Sequence, residues 1–357
     1  MKQRIAIGVI RTKRKRTRTL KKMPARLFPS ASLSELAHGE EGDFFALLSA
    51  KEELLTREGK PYFKVSFRDA GREVSFPIWN DSAWSVECKS NWNVGAFFKI
   101  RALYRETNFG PQLEIKKIRP VEESDIADGF DPLMCQPKSR FDSAEMFDEL
   151  LMIANEGITN KKLRSLVAEI LTANRDALLT LPAARKNHHA YIGGWLEHTL
   201  SVTRTVVYLV NKYDDYYPDM QPKLDKGAAI AGAILHDIGK LREYDHQSTG
   251  AVYTAEGALI GHMLQGRDIF REFALSKKLD DETLLRVEHV IVAHQGRLEW
   301  GAPKIPMTPE AMIVHYADDL DAKYAMLFCA LRDDKTTGPM TSKKNQLYQQ
   351  VFRGLQQ

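Results

Sequence analysis

Between Asp43 and Pro120 the chain alternates apolar and polar residues with a period of two. Phe63, Val65 and Phe67 interleave with Tyr62, Lys64, Ser66 and Arg68, as expected of a strand with one face in a core. Val74–Trp79 follows an Ala70-Gly71 turn, Phe98–Tyr104 makes another such run, and Leu113–Ile118 comes after Gly110-Pro111. With Phe44–Leu55 leading, the pattern predicts five strands in roughly 80 residues. The longest gap, Asn80–Asn93, falls between the third and fourth and contains Trp84. After Arg140 the period becomes helical. Asp142 with Glu145 reads as a capping box, and Phe147, Leu150, Leu151 and Ile153 share one face. Leu163, Leu166, Val167, Ile170 and Leu171 repeat that spacing, and from there helix follows helix with no convincing strand.

Five short strands interrupted after the third are what an OB-fold barrel gives. The expected architecture is therefore multidomain, a small all-β OB-fold barrel followed by an all-α domain. Val121–Arg140, with five acids, two prolines and a glycine, reads as the linker. The expected divisions are a basic, disordered arm at 1–38, the barrel at 39–121, the linker at 122–141, the helical domain at 142–340 and a tail at 341–357. The polar side of the strands offers Tyr62, Lys64, Arg68, Lys99, Arg101, Tyr104, Lys116 and Lys117. Rings interleaved with cations can stack bases and follow a phosphate backbone, which makes Tyr62, Lys64, Arg101, Tyr104 and Lys116 candidate strand-binding residues. The plainer reading, the wet face of any antiparallel sheet, has equal standing at this point.

Composition adjusts this picture in three places. At 357 residues and 43% hydrophobic, the chain can bury two cores. No apolar run approaches a membrane span, and no secretory signal is visible. Cys88, Cys135 and Cys329 are far apart and odd in number, so neither a disulfide framework nor a thiolate zinc site is indicated, and a reducing cytoplasm fits. The net charge of +4 hides an uneven distribution, because residues 1–26 carry 11 Lys/Arg and no acid. Taking those 11 from the 51 basic residues leaves 40 against 47 acidic. Such an arm adds salt-dependent phosphate affinity or serves targeting, or it is an upstream extension with Met23 the working start. No catalytic role is expected of it.

The stretch that carries chemistry is Leu235-His236-Asp237-Ile238-Gly239-Lys240. Upstream, Lys226–Leu235 is almost all Ala, Ile, Leu and Gly, and a helix apolar on every side is a buried one. Its last turn nevertheless presents an imidazole beside a carboxylate, which needs a partner when buried. A divalent metal is one such partner. Gly239 suits a helix end, and Lys240 puts a cation just beyond the carboxylate. Nine of the ten histidines lie between His188 and His315. A lone histidine on a helix is more often a satisfied core or surface residue than a ligand, but this clustering favours a metal centre.

In their order these residues resemble the HD-domain metal-dependent phosphohydrolases, whose pattern is a His, a His-Asp doublet and a distant Asp from separate helices. Here that reads His198 in Gly193-Gly194-Trp195-Leu196-Glu197-His198, then His236-Asp237, then Asp318 in His315-Tyr316-Ala317-Asp318. Two-metal members insert two further histidines, for which His262 and His294 stand in the interval. His188-His189-Ala190-Tyr191-Ile192-Gly193-Gly194, Tyr253-Thr254-Ala255-Glu256-Gly257, His294-Gln295-Gly296-Arg297-Leu298-Glu299-Trp300 and Asp318-Asp319-Leu320-Asp321 resemble one branch, the YhaM-type 3'-5' exoribonucleases. That branch carries an OB domain ahead of the HD domain, and the likeness covers roughly residues 40 to 330.

The resemblance implies metal ligands His198, His236, Asp237, His262, His294 and Asp318. Asp237, central in that order, is the natural bridging carboxylate, and Lys240 is a candidate to neutralise charge on a phosphate oxygen, its plainer reading being a cation near a helix C-terminus. Imidazole and carboxylate suit Mn, Co, Fe or Zn, and two such ions, Mn foremost, can clamp an attacked phosphoryl group. His188 and His189 ahead of Gly193-Gly194, and Arg297 with Trp300 in a Gly- and Pro-rich loop, are candidate substrate contacts; capping and packing are their plainer roles. Asp319 and Asp321 are alternatives to Asp318, while His246, His289 and His315 are read as structural. The expected activity is metal-dependent 3'-5' hydrolysis of single-stranded RNA, single-stranded DNA being admitted as well, with no membrane partner and room for a homo-oligomer. The competing readings are a phosphohydrolase or phosphodiesterase of small nucleotides, and a non-catalytic nucleic-acid-binding protein.

Overall fold

The period-two segments pair into one antiparallel sheet. Its strands are β1 (Glu41–Leu55), β2 (Pro61–Arg68), β3 (Glu73–Trp79), β4 (Phe97–Thr107) and β5 (Gly110–Pro120), in the order β3-β2-β1-β4-β5. The computed structural model describes residues 32–107, 110–185, 187–247 and 249–355. The basic run 1–26, the Met23 start and most of the 1–38 arm lie outside the described residues.

β1 reaches both partners because it is long and breaks register between Leu48 and Ala50, and a bulge bends a strand. Its first half pairs with β4 and its second with β2. β3 then lies beside β5, which curls the sheet toward a barrel. Helix α1 (Ser85–Asn91) fills the gap between β3 and β4, where no strand was expected. Phe44, Phe63, Val65, Phe67, Phe98, Ile100 and Trp92 form the interior. The result is the expected OB-like barrel.

Two expectations for this half need correction. Tyr104 does not lie on the wet face: it is 4% exposed, packed with Phe98, Ile100 and Ala102. Its parity along β4 matches those residues and not Lys99 or Arg101, and the Arg72 guanidinium covers its ring at 4.4 Å. The segment after β5 is more than a tether. It makes two short 3-10 turns, Glu123–Ile126 and Pro132–Cys135, and packs Phe130, Met134 and Cys135 on Phe45, Leu47 and Phe97. Asp125, 1% exposed, accepts from Arg119, Lys99 and the Glu122 amide. Those donors outweigh burial and hold its carboxyl well below the usual range.

The second half is built of α2 (Ser143–Gly157), α3 (Lys161–Ala173), α4 (Arg175–Leu178), α5 (Gly194–Tyr216), α6 (Lys226–Leu235), α7 (Lys240–Glu243), α8 (Ala255–Ile260), α9 (His262–Ala274), α10 (Asp281–Ala293) and α11 (Pro309–Asp333). Asp142 caps α2 by accepting from the Ala144 and Glu145 amides, and Phe147, Leu150, Leu163, Leu166, Val167 and Ile170 enter one core with α6. One departure from an all-helical reading is the hairpin β6 (Tyr244–Gln247) and β7 (Gly250–Tyr253). Its strands of four residues are too short to show a period. In the tail, Asp334 holds Arg353 and the Ser342 amide. No helix among the described residues is long and apolar enough to cross a membrane.

Candidate metal centre

α6 is apolar all round because it is buried all round, from Gly227 to Leu235. It delivers His236 and Asp237 at its C-terminal end, 0% and 2% exposed. The Trp195 indole on α5 donates to the Asp237 carbonyl at 3.0 Å and fixes that turn. Gly239 is not a left-handed helix end, as its position had suggested: its φ is −64°. A glycine is needed there because a Cβ would lie 1.9 Å from the His262 carbonyl oxygen, so it lets α9 approach.

The six residues expected as ligands converge from five helices. Asp237 stands between two groups of imidazoles and turns one oxygen to each. Its Oδ2 faces His236 Nε2 at 3.5 Å and His198 Nε2 at 3.7 Å; its Oδ1 faces His262 Nε2 at 3.5 Å and His294 Nε2 at 3.6 Å. Asp318 closes the first group, 3.1 Å from His198 Nε2 and 3.9 Å from His236 Nε2. The geometry thus gives His198–His236–Asp237 and Asp237–His262–His294 as two groups that could hold a metal and share Asp237, with His189–His198–Asp321 a third group beside them.

Each ring is set by a contact to its other nitrogen. His236 Nδ1 lies 2.7 Å from the Ala233 carbonyl and His294 Nδ1 2.8 Å from that of Ile291. A carbonyl only accepts, so in both rings Nδ1 carries the proton and Nε2 offers a lone pair. Glu243 Oε1 holds His262 Nδ1 at 3.0 Å and Asp321 Oδ2 holds His198 Nδ1 at 2.7 Å, the carboxylate–histidine arrangement that orients metal ligands. His198 and His236 bring Nε2 atoms within 3.3 Å, and His262 Nε2 is buried without a hydrogen-bond partner. Inward-facing nitrogens among two carboxylates need cations, and the donor set fits borderline divalent metals.

The charges behave accordingly. Burial opposes an imidazolium at His198, but Asp318 and Asp321 outweigh it and lift the ring to about 10. Burial would raise Asp237, yet the Lys240 ammonium 2.5 Å away outweighs it and holds the carboxyl well below the usual range. Asp318 is lowered against its burial chiefly by His198. The two carboxylates thus favour a charged ring at His198.

Residues 195–323 match the HD domain family model. The helical half carries an HD domain. That indicates the metal-dependent hydrolase superfamily. A second family model, described as “Putative helicase”, matches residues 139–245. Among solved structures, the second OB-fold domain of replication protein A from Methanococcus maripaludis is similar at 17% identity, over 26% of this chain and 95% of that one, with a TM-score of 0.20. The OB-like character of the barrel rests on its own strand order.

The other expected residues divide around the HD centre. His188 packs beside His198 with ring centroids 5.2 Å apart, and its Nδ1 is buried without a partner. Burial, with His198 and Lys240 adding to it, pushes this ring down to about 3. His189 is tied into the framework at φ 51°, its Nε2 3.2 Å from Asp321 and its Nδ1 2.7 Å from the Tyr191 hydroxyl. Arg297 lies over the exposed Trp300 ring at 4.6 Å, with Lys323 at 5.7 Å. His289 accepts from the Met307 amide and His315 meets the His294 carbonyl; the side chain of His246 lies outside the described residues. Asp319 pairs with Lys323 instead of entering the centre.

On the barrel the candidates are split. Arg101 pairs with Asp43 across β1–β4, on the outer face that residues 121–135 cover. Lys116 pairs with Glu114. Tyr62 and the exposed Lys64 lie on β2, where Tyr62 meets Trp79 at 4.9 Å. Trp79, 49% exposed, was missed, although it ends the same alternation. Asp321 and Ser201 were also missed as orienting groups; each lies three residues from a candidate ligand, a spacing that puts both on one helix face. Glu243 had no such signal, because its partner His262 is 19 residues away.

Proposed function

We propose that this chain is a metal-dependent phosphodiesterase that shortens single-stranded RNA from its 3' end, with single-stranded DNA admitted as a second strand. The observation that carries the reading is Asp237, one carboxylate dividing its oxygens between two histidine groups. In this reading His198, His236, Asp237, His262, His294 and Asp318 hold two divalent ions, Mn foremost. Those ions would supply the positive charge and the activated water that phosphoryl transfer needs.

The chain's own residues do the rest. Lys240 balances Asp237 and adds positive charge beside the attacked phosphate. His188, kept neutral by burial, presents Nδ1 to a phosphate oxygen or a ribose hydroxyl. Arg297 and Trp300 hold the terminal nucleotide through a phosphate contact and a base contact. Residues 39–121 hold the strand through Tyr62, Trp79 and Lys64 on the open β2–β3 face, and residues 142–340 cut it. Arg101 and Lys116, held by Asp43 and Glu114, are given no part in holding the strand, and Tyr104 supports the barrel from inside.

The test is to incubate the protein with 5'-end-labelled single-stranded RNA, the matching DNA and mononucleotides, each with Mn or EDTA. A Mn-dependent ladder of shortened RNA is expected. Release of phosphate from mononucleotides without any ladder would replace this reading with a small-nucleotide phosphohydrolase. Binding without any cleavage would leave a non-catalytic nucleic-acid-binding protein.

A further inference from the structure

The longest helix, α11, meets several environments along its length. Asp318 and Asp321 reach the metal centre, and Ile313, Val314 and Ala317 enter the core. Along one inclined row beside these positions it shows Met312, Tyr316, Leu320, Tyr324, Phe328 and Leu331, which are 45%, 61%, 58%, 68%, 50% and 37% exposed. The steps between them are four residues, then three at the end. Residues at those steps are neighbours on a helix surface, so the six form one continuous ridge. At 1.5 Å per residue it runs about 28 Å.

We infer that this ridge is the interface of a symmetric dimer, packed on the same ridge of a second copy of this chain. Area is the first argument. Aromatic side chains bury about 150–250 Å² each, so the exposed fractions amount to roughly 600 Å² per chain. That is at the top of what monomers leave as their largest apolar patch, about 300–600 Å². Doubled by symmetry it reaches about 1,200 Å², where stable interfaces begin.

Shape is the second argument. A ridge of i, i+4 residues fits the groove beside an identical ridge when two helices cross at about −50°, and a two-fold axis needs a self-complementary surface of that kind. Composition is the third. Interface cores favour Tyr, Phe and Met and exclude charge, as this ridge does. Two of its flanking cations are paired within the chain, Lys323 with Asp319 and Arg332 with Asp333, and a third, Arg140, lies over the Phe328 ring at 6.0 Å. That disfavours a nucleic-acid track, which needs cations free for phosphate. The basic run in residues 1–26 has charge where this ridge has none, which also disfavours it as the cover.

The experiment is sedimentation velocity on the full chain at micromolar concentration, beside Leu320→Arg/Tyr324→Arg. Neither residue belongs to the metal centre, and both side chains are exposed, so circular dichroism and metal content should match the parent. The parent should sediment at no less than twice the chain mass of 40.6 kDa, and the variant at half the parent's value. A Leu320→Cys chain should form a disulfide-linked dimer on mild oxidation. A monomeric parent overturns the inference, as does a variant with unchanged mass. If the variant instead loses affinity for long RNA at constant mass, the ridge is a nucleic-acid surface. If a chain lacking residues 1–31 dimerises where the parent does not, the arm covers the ridge and the inference fails.

Discussion

Replacing Asp237 by Asn keeps the shape of the side chain and removes its charge. In the protein without metal, that charge faces the Lys240 ammonium at 2.5 Å, with Lys240 only 7% exposed. Four imidazole nitrogens lie between 3.5 and 3.7 Å from the same carboxylate. The gross attraction for one pair at this range is about 4–7 kcal/mol at an effective dielectric of about 20. Desolvation of both partners offsets most of it, but stranding one buried partner typically costs about 3–5 kcal/mol. For a domain of about 200 residues this lowers the melting temperature by roughly 6–20 °C. Adding Lys240→Met should recover part of that loss, because no buried ammonium is then left unpaired. Activity should not return in the double variant. Thermal unfolding in EDTA and in Mn, with elemental analysis, reads all of this. The parent should gain stability with Mn and Asp237→Asn should not. A folded Asp237→Asn chain that binds Mn, shifts with it and cleaves RNA would refute the assignment.

Three further outcomes are expected. Glu243→Gln and Asp321→Asn, which weaken the hold on His262 and His198, should each reduce metal affinity about 10–100-fold while leaving the fold intact; titration with a fluorescent chelator reads this, and unchanged affinity in both variants counts against the carboxylate–histidine arrangement. His198 is lifted to about 10 in the protein without metal, above its ordinary value near 6.5. Its proton therefore adds stability that is complete below about pH 6.5 and lost as pH rises through about 10. Metal must displace that proton, so affinity should strengthen with pH in this window, and calorimetry in buffers of different ionisation heat should detect its release. No released proton would contradict the charge balance. Finally, Tyr62→Ala/Trp79→Ala removes the half-buried Tyr62 ring and the exposed Trp79 ring that meet on β2–β3. At about 1–3 kcal/mol per stacked base, long-strand KM should rise roughly 5–150-fold while dinucleotide cleavage barely changes. Equal losses on both substrates would mean that the barrel supports folding or assembly.

The residues explain which parts could be read in advance. Period two along β1–β5 is a local signal, and one buried face enforces it, so the strands and the interior positions of Phe63, Val65 and Phe67 were legible. Tyr104 shares the parity of Phe98, Ile100 and Ala102 along β4, and that parity, not its hydroxyl, decides that it lies inside. The convergence of His198, His236-Asp237, His262, His294 and Asp318 was legible because a metal centre would demand particular side chains, and their order survives in one dimension. What orients those ligands is set by packing. Glu243 looks like an ordinary helix-surface acid until His262 arrives beside it, and Asp321, legible as an alternative to Asp318, turns out to hold His198 instead. The close approach at Gly239 is likewise a relation between α7 and α9 that neither segment encodes alone. Residues 121–135 looked like a linker because their acids are conspicuous, whereas Phe130, Met134 and Cys135 are the ones that meet the barrel.

The most direct test of the shared-carboxylate centre is an anomalous difference map from crystals of the protein grown with Mn. Two peaks are predicted, one on either side of Asp237. The first should contact His198, His236 and Asp318, the second His262 and His294. A single peak not touching Asp237, or metal bound only at His189 and Asp321, would contradict the account.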